Sequence, residues 1–267
     1  MSNQSLWNKE FLLDTGINFV VYLIYYLLMV IIAVVAKDQL HASLGEAGLA
    51  SGIFIVGTLL ARLQFGKAIE LYGRRMSLYG GIIFYFVTTL LYFYIPNLAI
   101  LYVIRFLNGM AYGIVSTATN TIVASCIPPE KRGQGINYYG LSTSLAAAVG
   151  PFLGMLLIVI TNFTFIITLC AVLVGLCMIG CIILHINEIE LTSEQIAKMK
   201  AMTLDNYVEY RVMVISIIGF FMGFAYSSVL TFLAAYAREI NLVEAGTFFF
   251  VVYAVVITLT RPLTGII

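Results

Sequence analysis

Charge is scarce in this chain. Only 10% of its 267 residues are Asp, Glu, Lys or Arg, where a soluble domain carries about 25%. Histidine is scarcer still. His41 and His185 fall in or near loops on opposite sides of the topology argued below. No Ser/His pair or His cluster can therefore form within an apolar segment, and intramembrane hydrolysis or metal chemistry is not expected. No cofactor or metal is expected either. With a net charge of +1, nothing points to nucleic acid. The single tryptophan, Trp7, reads as an interface anchor. The four cysteines, Cys126, Cys170, Cys177 and Cys181, sit in apolar stretches and read as small core residues, not as ligands or a disulfide framework. No cleavable signal peptide is visible, since the first apolar segment is too long and lacks a basic lead.

What is abundant is hydrocarbon. Hydrophobic residues make up 61% of the chain and the mean hydropathy is +1.01. Apolar runs recur, each near the roughly 20 residues needed to cross a bilayer core of about 30 Å. An all-α, polytopic membrane protein is expected. After the leader Met1–Glu10, spans are predicted over Leu12–Ala36, Glu46–Phe65, Met76–Ile95, Leu98–Ile127, Ile136–Ile160 and Phe165–His185. Pro96 and Pro128-Pro129 stop the third and fourth. Two more follow, Val212–Ala237 and one from about Gly246.

Between the sixth and seventh spans the composition turns polar. Thr192-Ser-Glu-Gln195 reads as a capping box, and Glu194 and Lys198 lie one turn apart, so a short amphipathic helix on the membrane surface is expected. The domain reading is therefore a six-helix bundle over residues 1–186, a linker over 187–210 and two further helices over 211–267. Odd-numbered turns hold only Lys37 and Arg238, whereas even-numbered turns hold Lys67, Arg74, Arg75, Lys131, Arg132, Lys198, Lys200 and Arg211. That bias puts the N-terminus and the linker in the cytoplasm. Arg62 precedes Gly66 by four positions at the end of the second span, and Arg261 precedes Gly265 likewise in the eighth. This hints at a parallel duplication whose second unit is cut short, so a truncated chain is expected.

The organising stretch is Gly66-Lys-Ala-Ile-Glu70-Leu-Tyr-Gly73-Arg74-Arg75, a charged run between two apolar spans. Irregular backbone cannot stay in hydrocarbon, so a turn in water is expected, with Gly66 and Gly73 allowing it to bend. The fourth span carries Arg105, Asn108, Gly109 and Gly113, and the fifth carries Gly150, Pro151 and Gly154. An arginine within a span costs about 2.5–3.5 kcal/mol on insertion scales, so Arg105 faces either a wet cavity or a partner, unless it snorkels to the interface. Small residues let helices approach closely, and proline kinks them.

With these motifs in order, the chain resembles the major facilitator superfamily, and more narrowly its bacterial drug-proton antiporters. Gly66, Gly73, Arg74 and Arg75 match the family's loop motif, while Glu70 stands for its aspartate and Leu71 for a basic residue. The resemblance implies that Arg62, Gly66, Glu70, Gly73, Arg74 and Arg75 latch two bundles on the cytoplasmic side. It implies that Arg105 couples proton and substrate binding, and that Gly150, Pro151 and Gly154 pack against the eighth helix. Asp14, Glu70 and Arg105 are the candidates for proton coupling, though Asp14 also reads as a helix-start residue. Asn18, Tyr22, Tyr26, Asn108, Tyr112 and Tyr226 are candidates for a substrate cavity, set against the plainer reading of packing or interface residues. Rings with polar tips suit amphipathic or cationic ligands. The expected activity is proton-coupled export of small amphipathic compounds by a plasma-membrane monomer. Export of a polar metabolite, or a non-transporting receptor or scaffold, stands as the alternative.

Overall fold

The computed structural model describes residues 6–186, 188, 192, 196 and 210–264. Among them are eight helices long and apolar enough to cross a membrane. They are α1 (Lys9–Leu40), α2 (Leu44–Tyr72), α3 (Arg74–Leu90), α4 (Leu98–Cys126), α5 (Arg132–Ile160), α6 (Phe163–Ile183), α7 (Met213–Glu239) and α8 (Val243–Thr264). The predicted amphipathic linker helix and the Gly265 half of the repeat lie outside the described residues.

Short polar side chains start the helices. Asn8, Asn97 and Asn162 accept from the backbone N–H of Phe11, Ile100 and Phe165. Ser43 and Glu46 form a reciprocal capping box at α2, which fills two N–H groups that have no intrahelical acceptor. His41, at φ +53°, turns the chain out of α1.

The charged stretch differs from expectation. No bend occurs at Gly66, and α2 runs on to Tyr72. A lone residue breaks it, Gly73 at φ +92°, a left-handed backbone that favours glycine. Lengthening the helix keeps its backbone groups hydrogen-bonded past the end of the apolar run.

Helices α1, α2, α3, α4 and α6 share one apolar core, in which Ile24, Leu28, Phe54, Tyr85, Val115 and Cys170 are buried. α2 lies along α4, and α5 lies between α1 and α8. A second cluster joins the two parts of the chain: Met29, Val30 and Val34 of α1 and Met155 of α5 meet Leu230, Ala234 and Phe250. We call the end bearing Lys9, Arg74, Arg75 and Arg132 the basic end, and the other the far end. α7 docks by its far half, whereas residues 212–225, nearer the basic end, are exposed.

Candidate functional site

Glycine sets the helix spacing. A Cβ on Gly109 would collide with the backbone of Phe54, and one on Gly113 would lie 2.9 Å from the Thr58 carbonyl. Both glycines of the α4 motif thus let α4 press against α2. A Cβ on Gly150 would lie 2.9 Å from the Leu23 carbonyl, and one on Gly154 3.0 Å from that of Leu27. The α5 glycines therefore face α1, while another face of α5 packs along α8, the helix that the resemblance implied. Phe152 and Met155 belong instead to the cluster that holds α7 and α8. Pro151 has no N–H to give the Ala147 carbonyl, and the Tyr226 hydroxyl of α7 donates to that carbonyl at 3.4 Å.

Arg105 is wholly buried. Its guanidinium donates to the carbonyls of Ala50 (3.1 Å) and Ser51 (3.3 Å), to the Tyr92 hydroxyl (3.4 Å) and to Met29 Sδ (3.5 Å). It also lies 4.5 Å over the Phe54 ring. No carboxylate pairs with it among the described residues, so carbonyl dipoles and a ring face disperse the charge. Asn108 continues this buried network toward α3, donating to Thr88 Oγ1 (3.0 Å) and Thr89 Oγ1 (3.4 Å). It is fully enclosed, which removes it from the expected cavity lining.

On the basic-end side of Arg105 and its Phe54 partner lies an aromatic shelf. Tyr25 stacks on Phe54 at 5.1 Å and on Tyr112 at 4.9 Å. Tyr22 meets Tyr112 at 5.3 Å and Tyr26 at 6.5 Å. Tyr112 is buried in this stack, whereas Tyr22 and Tyr26 are half-buried. Tyr226, also half-buried, stacks on Tyr253 at 5.5 Å. One turn before Tyr22, Asn18 is buried and donates to Ser142 (3.3 Å) and Thr143 (3.2 Å), while Thr119 donates to its Oδ1 at 3.4 Å. Asn18 thus ties α1 to α4 and α5.

Another turn toward the basic end, Asp14 is entirely buried, and neither carboxylate oxygen has a hydrogen-bond partner among the described residues. Phe11, Val123, Ile127 and Tyr139 form an apolar cluster at this end of the helices. Glu70 pairs with Arg74 at 2.6 Å. Arg62 does not join them; it is exposed and donates to Ser116 Oγ on α4 at 3.3 Å. Arg75 lies over the Tyr79 ring at 5.4 Å. Glu188, absent from the sequence expectations, accepts from the backbone N–H of Arg74 (2.9 Å) and Arg75 (2.8 Å). It caps α3 where Gly73 has no side chain to do so. At the far end Asp38 pairs with Arg238 at 2.8 Å, joining α1 to α7.

The profile of the Major Facilitator Superfamily matches residues 15–267. The multi-drug resistance efflux pump PmrA of Streptococcus pneumoniae is 27% identical over 203 residues, covering 74% of this chain and 50% of that protein. An uncharacterised MFS-type transporter of Methanocaldococcus jannaschii is 24% identical over 152 residues, 57% of this chain and 37% of its own length. The chain spans about half the length, or less, of these relatives. Among solved structures, the peptide transporter POT in complex with alafosfalin superposes with a TM-score of 0.56 at 17% identity, over 85% of this chain and 48% of that one. That last likeness concerns the fold alone.

Proposed function

Because this chain belongs to the major facilitator superfamily, we propose that it works as, or within, a secondary transporter of the plasma membrane. It exports small amphipathic compounds in exchange for protons, by rocking of two helical units about a site near the midplane. The observation that carries this reading is the docking of α7. Met29, Val34, Leu230 and Phe250 plug the far side of the shelf, while residues 212–225 stand exposed on the basic side. This asymmetry supports entry of a ligand from the basic end, which the positive-inside rule assigns to the cytoplasm.

Asp14 is the group we assign to the proton. Enclosing an ionised carboxylate with no cation and no donor costs several kcal/mol, so its occupancy of that site depends on a proton arriving or leaving. Glu70 is held by Arg74 and Arg105 by backbone carbonyls, and these fix the helices around it. The test is transport by purified protein in liposomes with a pH gradient. Protein-dependent movement of amphipathic dyes that collapses with a protonophore is expected. Dyes that stay put while the gradient holds sink the reading. A second reading, export of a polar metabolite, draws on the amide and hydroxyl set around Asn18; the same liposomes would then move sugars or amino-acid derivatives and ignore the dyes.

A further inference from the structure

Among the described residues, the exposed charge beside the aromatic shelf is that of Arg62. We infer that Arg62 and the half-buried rings of Tyr22 and Tyr25, which lie against the buried Ser116 and Tyr112, take an organic anion with a flat aromatic body. This rests on the transport reading and narrows its substrate class.

A guanidinium carries five N–H donors. Arg62 is exposed and uses one of its nitrogens on the neutral Ser116 hydroxyl, and no carboxylate pairs with it among the described residues. Ser116 belongs to α4 one turn beyond Tyr112, so this contact holds the cation one helical turn from the ring stack. Behind the shelf, Arg105 adds a second positive charge with no acid against it among the described residues.

Among the described residues, no acid pairs with a charge on this face. Glu10, Glu70, Glu130 and Glu188 lie toward the basic end, Asp38, Glu46, Glu239 and Glu244 toward the far end, and four fall between residues 190 and 209. Only Asp14 lies within a span near the shelf, two turns from Tyr22, and it exposes no surface. An organic cation meets repulsion from Arg62, and the Phe54 face that would attract it is already taken by Arg105. A carboxylate, sulfonate or phosphonate instead matches the planar guanidinium fork, and an aromatic body matches the ring faces.

The experiment compares two probes of one shape and opposite charge, naphthalene-2-sulfonate and 2-naphthylmethylammonium, by equilibrium dialysis against the purified chain in detergent. The sulfonate is expected to bind about tenfold more tightly or better, the scale of one charge-assisted hydrogen bond. Arg62→Gln is expected to remove that advantage without weakening the ammonium probe, and Arg62→Lys to keep part of it. The probe pair on the unaltered chain decides even where a variant fails to fold. Equal or tighter binding of the ammonium probe overturns the inference, as does a folded Arg62→Gln protein that binds the sulfonate undiminished. Displacement of the sulfonate by stoichiometric phosphatidylglycerol also overturns it, by giving the guanidinium to a lipid headgroup. No gradient is involved, so anion binding without transport counts against the transport reading alone.

Discussion

The Tyr226 hydroxyl donates to the Ala147 carbonyl, the acceptor that Pro151 leaves without an intrahelical partner four residues on. A helix defect on one side of the chain is thus answered by a side chain on the other. The two residues should be energetically coupled. Tyr226→Phe is expected to cost about 1 kcal/mol with Pro151 present, the net worth of one hydrogen bond, and close to nothing in a Pro151→Ala background. A double-mutant cycle on unfolding in mixed micelles checks this. Additive effects would mean that the hydroxyl contact is incidental.

Glycines that look alike in sequence should respond in opposite ways. Gly109→Ala drives a methyl into the Phe54 backbone, where neither helix has a flexible side chain to move aside. A loss of about 2 kcal/mol or more is expected, in the range of overpacked cores. A Cβ on Gly66 or Gly80 meets nothing within 4 Å. Replacing either by alanine should be neutral or stabilising by about 0.5–1 kcal/mol, because both lie inside continuous helices. Thermal denaturation of the three variants, followed by light scattering, separates the classes.

The eight spans and their order were legible because membrane helices must be long and apolar, and proline and asparagine mark their ends. Which way a residue faces was not legible. The spans are apolar on most sides, so no periodic stripe told Asn108 to turn toward Thr88 and Thr89 and away from the expected cavity. Gly150 and Gly154 announced a close helix contact, but nothing in their spacing named α1 as the neighbour. Glu188 escaped notice for another reason. It lies 113 and 114 residues from the amides it caps, and a tertiary cap leaves no local pattern. Its one clue was Gly73, a helix start with no capping side chain.

That cap can be probed directly. Glu188→Ala removes the acceptor for two N–H groups and a negative charge from the positive end of α3. It is expected to cost about 0.5–2 kcal/mol, with faster hydrogen exchange confined to the first turn of α3. Glu188→Gln, which keeps an acceptor oxygen and loses the charge, should fall between. Exchange that rises evenly over all of α3 would assign Glu188 a role in holding the linker instead.

Asp14 gives the sharpest test of proton coupling. Asparagine matches its shape and carries no charge, so Asp14→Asn should leave the fold intact, with a melting temperature equal to or above that of the parent. Removing an unpartnered buried carboxyl relieves a desolvation cost of several kcal/mol whenever the group ionises. In liposomes the variant should still let substrate equilibrate down its own gradient. It should no longer concentrate substrate against one when only a pH difference is applied. Asp14→Glu, longer by one methylene in a cluster closed by Phe11 and Tyr139, should restore the pH response in part and lower stability. If Asp14→Asn still accumulates substrate at the parent's rate, the proton travels by another group, and Glu70, freed from Arg74, is the next carboxyl to replace.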